Sequence, residues 1–257
     1  MTRSRAREGF SEGRREQIFF SGAWGNWQRR RYADLHTNMP GLTVSVPALT
    51  TEGLMARGFF PDRSIPSVNS VAIAPALPEI DAFLGPTEAA LLAKKRVKFR
   101  SRCSVHSVSK RKHLRRLLSV PNPLHQYLLA KEIATHWSEL HDFCASSPLA
   151  LSVPIVTTEM AVSGKEELSE QPFRRAERSI GSRYLLKTDL ARFYPSVYTH
   201  SIPWALHGKD AARKDSTHKL LGNRLDLWMR ETQDKQTGGI PIGPDTSFVV
   251  GEVIGTP

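Results

Sequence analysis

The chain has 257 residues, which is enough to bury a sizeable core in one large domain or two small ones. Its 36 Lys and Arg outnumber its 25 Asp and Glu, so that the formal net charge is +11. No apolar run approaches the roughly 18 residues of a membrane span, and the Arg-rich first residues lack the apolar core of a secretory signal. Composition therefore argues against a membrane partner and predicts a cytoplasmic protein, in which Cys103 and Cys144 are buried or idle thiols in a reducing compartment.

The positive charge is concentrated in one segment. Residues 94–116 hold eleven Lys and Arg and no acid, so this segment accounts for the whole excess and the rest of the chain is balanced. Such a local density is typical of a surface that binds phosphates. The alternative is a solvated basic face or a flexible basic loop. The residues predicted to contact nucleic acid are Lys94, Lys95, Arg96, Lys98, Arg100, Arg102 and Arg111.

The N-terminal half of the chain predicts an irregular arm, a linker and a hairpin. Residues 1–50 mix Arg, Glu, Gly and Ser without a clear period, which is typical of a basic arm that is partly irregular. Residues 66–86 are rich in Pro, Ala and Ser and predict a linker, and residues 86–93 predict a short helix. Apolar residues alternate over 97–108 and again over 118–120, which predicts two antiparallel strands joined by a basic tip.

Periodic apolar residues predict the helices of the second half. Residues 124–141 carry an apolar stripe at spacings of three and four, which predicts one amphipathic helix packed on the core. A second helix is predicted over 209–232. A third is predicted over 248–254, with Asp245 and its two successors as the cap. The residues of the stripe are Leu128, Leu129, Ile133, Trp137 and Leu140.

One carboxylate follows a short apolar run in residues 184–200. The run 184–186 predicts a strand, Asp189 follows it, and Phe193 and Tyr194 come four and five residues later. A carboxylate at a strand end suits a hard cation such as Mg²⁺, which takes oxygen ligands and binds through one or two carboxylates plus substrate phosphates. The alternative is a junction between a strand and a turn, in which Asp189 is only a helix cap and Tyr194 a core aromatic.

Three segments, in this order, resemble motifs of the reverse transcriptases. The segment RLLSVPNPLHQ (116–126) resembles the fingers segment of the bacterial enzymes, YLLKTDLARFYPSVYTH (184–200) resembles motif A, and QTGGIPIGPDTS (236–247) resembles motif B. The similarity covers residues 52–255. The wording of YTHSIPWA (198–205) and of the end of the last segment is closest to bacterial reverse transcriptases of the phage-defence, abortive-infection type.

The resemblance implies a fold and an activity. The fold would be α+β, a right-hand polymerase with fingers over 51–180 and an incomplete palm over 181–257, without a thumb. The activity would be RNA-directed DNA polymerisation, with an RNA template, a DNA primer and product, and deoxynucleoside triphosphates as partners. The cofactor would be Mg²⁺, held by the catalytic carboxylate of Asp189 and by the backbone carbonyl of Leu190.

The same resemblance assigns the cations of the hairpin to the nucleotide. Arg116 occupies the family position that grips the triphosphate, with Arg115, Lys112 and Lys110 as its neighbours. Cations at this position stabilise the negative charge that develops on the leaving pyrophosphate. A third alternative is a purely structural interaction protein, but this function would leave the three ordered motifs unexplained.

Two further residues would complete the nucleotide site by resemblance. Tyr194 matches the family position that packs under the sugar and excludes a 2′-hydroxyl by its bulk. Gly243 belongs to the motif B loop, where Gly and Pro allow the backbone to approach a nucleotide closely. Ile242 stands where many relatives have Gln, so a polar contact to the nucleotide is lost there.

One departure from the family limits the expected activity. Motif C, Tyr-x-Asp-Asp on a hairpin, supplies the paired carboxylates of the metal site, and no Asp-Asp pair occurs in the 257 residues. The chain is therefore expected to be a fragment, a truncated gene product or a non-catalytic relative, and to be inactive by itself. The alternative function is a nucleic-acid-binding module that acts within a larger complex with an unidentified protein partner. A palm without this hairpin is expected to leave strand edges exposed.

Overall fold

The computed structural model describes residues 48–59, 70–111, 113–158, 160–215 and 217–256, with the backbone only at residues 110 and 111. The described residues belong to one compact unit, Val46–Pro257. The expected basic arm of residues 1–50 lies almost wholly outside them. None of the described helices is both long and apolar enough to cross a membrane.

The described chain is a mixture of helices and short strands. The helices are α1 (Thr51–Ala56), a 3-10 helix (Ser70–Ala76), α2 (Leu77–Leu92), α3 (Pro123–Thr135), α4 (Trp137–Ala145), α5 (Gln171–Ser179), α6 (Phe193–Ser196), α7 (Ser201–His207), α8 (Lys209–Lys214), α9 (Leu221–Glu231) and α10 (Asp245–Gly255). The strands are β1 (Ser104–Arg111), β2 (Leu114–Val120), β3 (Pro154–Val156) and β4 (Val162–Gly164). They form two antiparallel pairs, β1 with β2 and β3 with β4. This mixture of helix and strand is compatible with the predicted α+β class, whereas the division into fingers and palm stays a prediction.

The core lies where α3 packs against α9 and α1, and where α10 packs against α4 and α7. Leu128, Ile133, Leu140, Trp228 and Val253 are among its fully or almost fully buried side chains. Burying one such side chain contributes about 1.5–3 kcal/mol relative to leaving it in water. The predicted apolar stripe of residues 124–141 is thus confirmed as core.

A buried polar network ties α3 to α9. The Glu132 carboxylate accepts hydrogen bonds from Arg224 Nε at 2.7 Å and from Trp228 Nε1 at 3.3 Å. His136 Nδ1 lies 3.2 Å from the same carboxylate and 3.1 Å from the Glu132 carbonyl oxygen. His136 leaves the helical conformation, with φ −110° and ψ 25°, so α3 ends there and α4 begins at Trp137. The prediction of one unbroken helix over 124–141 was therefore wrong.

Residues 77–92 form a helix where a linker was predicted over 66–86. Leu77, Leu84 and Leu91, spaced by seven residues, are buried on one side of α2. Lys131 of α3 fastens this helix, because its Nζ lies 2.7 Å from Asp81 Oδ1 and 3.0 Å from Glu88 Oε2. The Pro and Ala content suggested a surface linker, but the leucine spacing decides the structure. Residues 60–69 are outside the described chain.

The helix predicted over 209–232 is interrupted. It consists of α8 and α9, and the loop between them is organised by Asp215. The Asp215 carboxylate accepts hydrogen bonds from the backbone N–H of Thr217 at 3.0 Å and of Leu220 at 2.8 Å. A side chain that binds the backbone in this way competes with helix formation, which explains the break.

The last helix begins earlier than predicted, because Asp245 does not cap it. Pro244 takes the N-cap position of α10 and makes no side-chain cap hydrogen bond. Asp245 Oδ2 instead accepts a hydrogen bond from Val162 N at 3.0 Å, and Asp245 N donates to the carbonyl of Gly58 at 2.7 Å. The expected cap at residues 245–247 was wrong, since Asp245 binds β4 instead.

The predicted basic hairpin is confirmed, although its first strand is shorter. Ser104 pairs with Val120 and Val108 with Arg116 in the antiparallel register. Residues 97–103 are not a strand, because this segment is bound to the end of α9: Asp234 N donates to the Ser101 carbonyl at 2.7 Å.

The strand predicted at residues 184–186 is absent. Residues 184–190 contain no helix, strand, turn or bend, and all seven are exposed. A strand needs a neighbouring strand to satisfy its backbone groups, and none lies beside this segment in the described chain. Beyond β4, the described chain pairs its backbone as β structure only at the isolated bridge between Tyr198 and Gly238. The expected exposed strand edges of a palm sheet are therefore replaced by an unpaired segment.

The contact between α7 and α9 predicts one strong destabilisation. A Cβ atom at Gly222 would lie 2.5 Å from Pro203 Cα, a backbone atom that cannot move aside. We expect Gly222→Ala to lower the free energy of unfolding by about 1–3 kcal/mol, as overpacking does. Chemical denaturation followed by circular dichroism measures this.

Gly85→Ala is the matched control, because Gly85 also lies inside a helix and nothing lies within 4 Å of a Cβ atom there. We expect this variant to be unchanged or more stable by up to about 1 kcal/mol. Equal stabilities of the two variants would contradict the close packing of α7 on α9.

Candidate nucleic-acid and nucleotide site

The segment 193–199 is joined to the loop 236–244 by three backbone hydrogen bonds. Ile240 N donates to the Tyr194 carbonyl at 2.9 Å, and Gly239 N donates to the Val197 carbonyl at 2.7 Å. Thr199 N donates to the carbonyl of residue 237 at 2.9 Å. Since backbone groups make these bonds, the two segments lie together regardless of their side chains.

Gly239 allows this close approach. Its φ is +82°, a backbone conformation that residues with a side chain rarely adopt. A Cβ atom there would lie 3.3 Å from the Pro195 carbonyl oxygen. Gly243, the glycine predicted to face a nucleotide, also has a positive φ of 138°. The loop therefore depends on glycine at two points.

The basic hairpin is fastened to the same loop. Ser119 N in β2 donates a hydrogen bond to the Ile242 carbonyl at 2.8 Å. Six residues after β2 ends, α3 carries Gln126, whose Nε2 donates to Thr246 Oγ1 at 2.9 Å. The three segments that carry the sequence motifs thus meet around residues 236–247.

Tyr194 and Arg116 are electrostatic neighbours in this arrangement. Burial raises the pKa of Tyr194, and the negative charges of Glu252 and Asp245 act in the same direction, while the positive charge of Arg116 opposes them. The ring of Tyr194 stands edge-on to Phe193 at 5.6 Å between centroids. The charge of Arg116 therefore acts on Tyr194, and the sequence assigned both residues to nucleotide binding.

Asp189 and Leu190 lie in the exposed segment 184–190. Asp189 makes no hydrogen bond or ion pair with the rest of the described chain, so it is not buried as a hydrogen-bond acceptor. In the described ranges, no group of three or more His, Cys, Asp and Glu side chains is arranged to hold a metal ion. One carboxylate and one carbonyl are too few donors for a site that holds two Mg²⁺ ions, so the described residues do not fit this cofactor by themselves.

The other predicted cations divide into exposed and engaged groups. Lys94, Lys95, Arg96, Lys98 and Arg116 are exposed. Arg115 is exposed as well, but its guanidinium donates hydrogen bonds across the hairpin to the hydroxyl and carbonyl of Ser107. The side chains of Lys110 and Arg111, and Lys112 as a whole, lie outside the described residues.

Sequence reasoning missed the acid that engages two of these cations. Asp234 lies 3.5 Å from Arg100 Nε and 3.1 Å from Arg102 Nε. Both arginines remain largely exposed, so these ion pairs contribute little to stability. Asp234 is separated from them by more than 130 residues, and no local pattern in the sequence announces the contact.

Sequence reasoning also missed a buried carboxylate beside the segment 184–200. The Asp226 carboxylate of α9 lies 2.8 Å from His200 Nδ1 and 3.1 Å from Arg230 Nε. His200 ends the segment that resembles motif A and stacks edge-on against Tyr198 at 4.9 Å between centroids. The spacing of four between Asp226 and Arg230 on a helix was the available signal for half of this cluster.

Neither protein-family models nor curated proteins give a match to this chain. The likeness to reverse transcriptases therefore rests on the motif residues of the sequence. The geometry offers a hairpin with the exposed arginines Arg115 and Arg116, a glycine-dependent loop beside it, and a half-buried tyrosine on which the charge of Arg116 acts. This combination suits the binding of phosphates and a nucleoside more than it suits acid–base chemistry.

The opposing charges of Arg116 and Glu252 predict opposite shifts of the Tyr194 pKa in two variants. Arg116→Gln removes a positive charge that favours the phenolate, so we expect the pKa of Tyr194 to rise. Glu252→Gln removes a negative charge that disfavours the phenolate, so we expect this pKa to fall. The ¹³Cζ resonance of labelled tyrosine, assigned with Tyr194→Phe, reports the titration.

Arg213→Gln is the control for a general loss of charge, because Arg213 is exposed on α8. This variant should leave the pKa of Tyr194 where it is in the unmodified chain. An unchanged value in Arg116→Gln would show that the hairpin arginine is not beside the tyrosine.

Proposed function

We propose that this chain is a nucleic-acid-binding unit of the reverse transcriptase type, corresponding to the fingers and part of the palm. The observation that supports it most is the joining of β2, the loop 236–244 and the segment 193–199 by backbone hydrogen bonds. These are the three segments whose sequences resemble the family in the same order. Three chance matches to the family's motifs would not need to lie together in the structure.

The basic segment 94–116, which includes most of the hairpin, is the proposed contact to the phosphate backbone. The exposed cations of residues 94–102 and Arg115 with Arg116 face solvent without an acid inside the segment. Neutralising phosphates with Lys and Arg releases condensed counterions, so the affinity would fall steeply with salt. Binding of this kind does not depend on sequence, which suits a unit that holds an RNA template and a DNA primer.

Arg116 and Tyr194 are the proposed nucleotide contacts. The guanidinium would bind phosphate oxygens of a deoxynucleoside triphosphate, for which its planar fork of donors is suited. The tyrosine ring would lie under the sugar and disfavour a ribonucleotide. Gly243, in the adjoining loop, would leave room for the nucleotide because it has no side chain.

RNA-directed DNA polymerisation is the broader proposal, with a place in bacterial antiviral defence suggested by the wording of the motifs alone. Asp189 is the one carboxylate that the motifs place at the reacting centre, and Mg²⁺ would need further acidic ligands. Residues 1–257 contain no Tyr-x-Asp-Asp motif to provide them. We therefore assign binding, and not catalysis, to this chain by itself.

The proposed contact predicts the salt dependence of binding. Replacing Arg115 and Arg116 together by Gln removes two phosphate contacts, so the slope of log affinity against log salt should fall in magnitude by about 1.4 for a single-stranded RNA. Affinity at moderate salt should fall about tenfold or more. Fluorescence anisotropy over a salt series measures both.

The matched control replaces Arg213 and Lys214 of α8, two exposed cations of the same total charge. This control should keep the slope of the unmodified chain. Equal slopes in both double variants would mean that binding depends on net charge and not on the hairpin.

The missing carboxylates predict that residues 1–257 do not extend a primer. With an RNA template, a DNA primer, deoxynucleotides and Mg²⁺, we expect no product above the level of the Asp189→Ala variant. Denaturing gels of a labelled primer measure this. Extension that is abolished by Asp189→Ala would contradict the assignment of binding without catalysis.

A further inference from the structure

The segment 184–190 is an unpaired stretch with two different faces. In an extended chain, successive side chains point to opposite sides. Tyr184, Leu186, Thr188 and Leu190 then share one face, and Leu185, Lys187 and Asp189 share the other. A period of two with one apolar face is typical of a strand that pairs with another strand.

The segment has no partner within the described chain. The backbone groups of residues 184–189 make no hydrogen bond with it, and no turn or bend interrupts residues 184–190. Leu186 is 89% exposed and Leu190 is 71% exposed. Exposed apolar side chains next to unpaired N–H and C=O groups form a template for a further strand.

We propose that this segment pairs with the same segment of a second copy of the chain, as an antiparallel strand centred on Thr188. The proposal goes beyond nucleic-acid binding and does not depend on it. A two-fold axis at Thr188 places Lys187 of each copy opposite Asp189 of the other. It also places Leu186 of each copy opposite Leu190 of the other.

Every pair within 186–190 is favourable in this register. Opposite charges and apolar pairs directly across an antiparallel ladder stabilise it, whereas like charges destabilise it. The sequence around Thr188 therefore has the self-complementarity that a two-fold interface requires.

The neighbouring symmetric registers are worse. An axis at Lys187 places two lysines opposite each other, and an axis at Asp189 places two carboxylates opposite each other. An axis between two residues sets a leucine against a charged side chain, because it brings the two faces onto one side. The choice of one register among these rests on charge and on the apolar pattern together.

The length of the segment sets the strength of the pairing. Five paired residues are close to the usual length of a strand, but a ribbon of two strands is only marginally stable in water. We therefore expect a weak dimer that dissociates on dilution, in the range of transient interfaces. Arg192 follows with a left-handed φ of 55°, which turns the chain into α6 and limits the ladder at that end.

Exchange of the two charges tests the register. Lys187→Asp and Asp189→Lys each place like charges opposite each other twice in the dimer, so each should weaken dimerisation about tenfold or more. The double variant restores opposite charges in reversed order and should dimerise like the unmodified chain. Sedimentation velocity of residues 1–257 over a concentration series measures the dimer.

The design separates pairing from net charge. One single variant lowers the net charge by two, the other raises it by two, and the double variant leaves it unchanged. Lys214→Asp, at an exposed lysine of α8, is the control for a charge reversal elsewhere. The side chains of Lys187 and Asp189 are exposed and without partners in the described chain. The variants at these two positions should therefore keep the circular dichroism spectrum of the unmodified protein.

Three outcomes would overturn the proposal. A chain that sediments as a monomer at every concentration has no such interface. Single variants that dimerise like the unmodified chain would place the interface elsewhere. A dimer that forms only with RNA present would mean that nucleic acid, and not the segment, brings the copies together.

Discussion

The loop 236–244 is the constraint on which the arrangement of the site depends. Its backbone is hydrogen-bonded to the segment 193–199 on one side and to β2 on the other. Gly239 makes the first contact possible, since its positive φ and missing side chain allow the approach to Pro195. The charge of Arg116 in β2 acts on Tyr194 because β2 and the segment 193–199 are both hydrogen-bonded to this loop. A substitution in the loop would therefore separate β2 from the segment 193–199 without changing a residue of either.

Local patterns in the sequence predicted the elements whose stability is local. The apolar stripe of residues 124–141 and the alternation beside the basic tip both correspond to real elements. The errors occur where a side chain binds the backbone or a distant residue. His136 ends a helix through Glu132, and Asp215 ends another through its own loop. These contacts join residues only four and five positions apart, but they run from a side chain to the backbone, and hydrophobic periodicity carries no information about them.

The candidate site was predictable in its parts and not in its assembly. The motifs predicted Arg116, Tyr194 and Gly243 as nucleotide contacts. In the structure, backbone hydrogen bonds join the segments that carry these residues. Asp189 is the exception: the apolar run before it predicted a strand, but no strand lies beside it in the described chain to pair with it. Asp234, which competes for two of the predicted cations, comes from a distant helix end and left no trace in the local sequence.

The exposure of residues 184–190 has a consequence for how the chain is held together. The elements before this segment are joined to those after it by contacts elsewhere, such as Glu132 with Arg224 and Gln126 with Thr246. Exposed stretches without hydrogen bonds are preferred sites of proteolytic nicking and of tolerated insertion. A protease that cuts after Lys187 would thus leave two pieces still clasped by the core, and the protein would behave as a non-covalent pair of fragments that could be made and mixed separately.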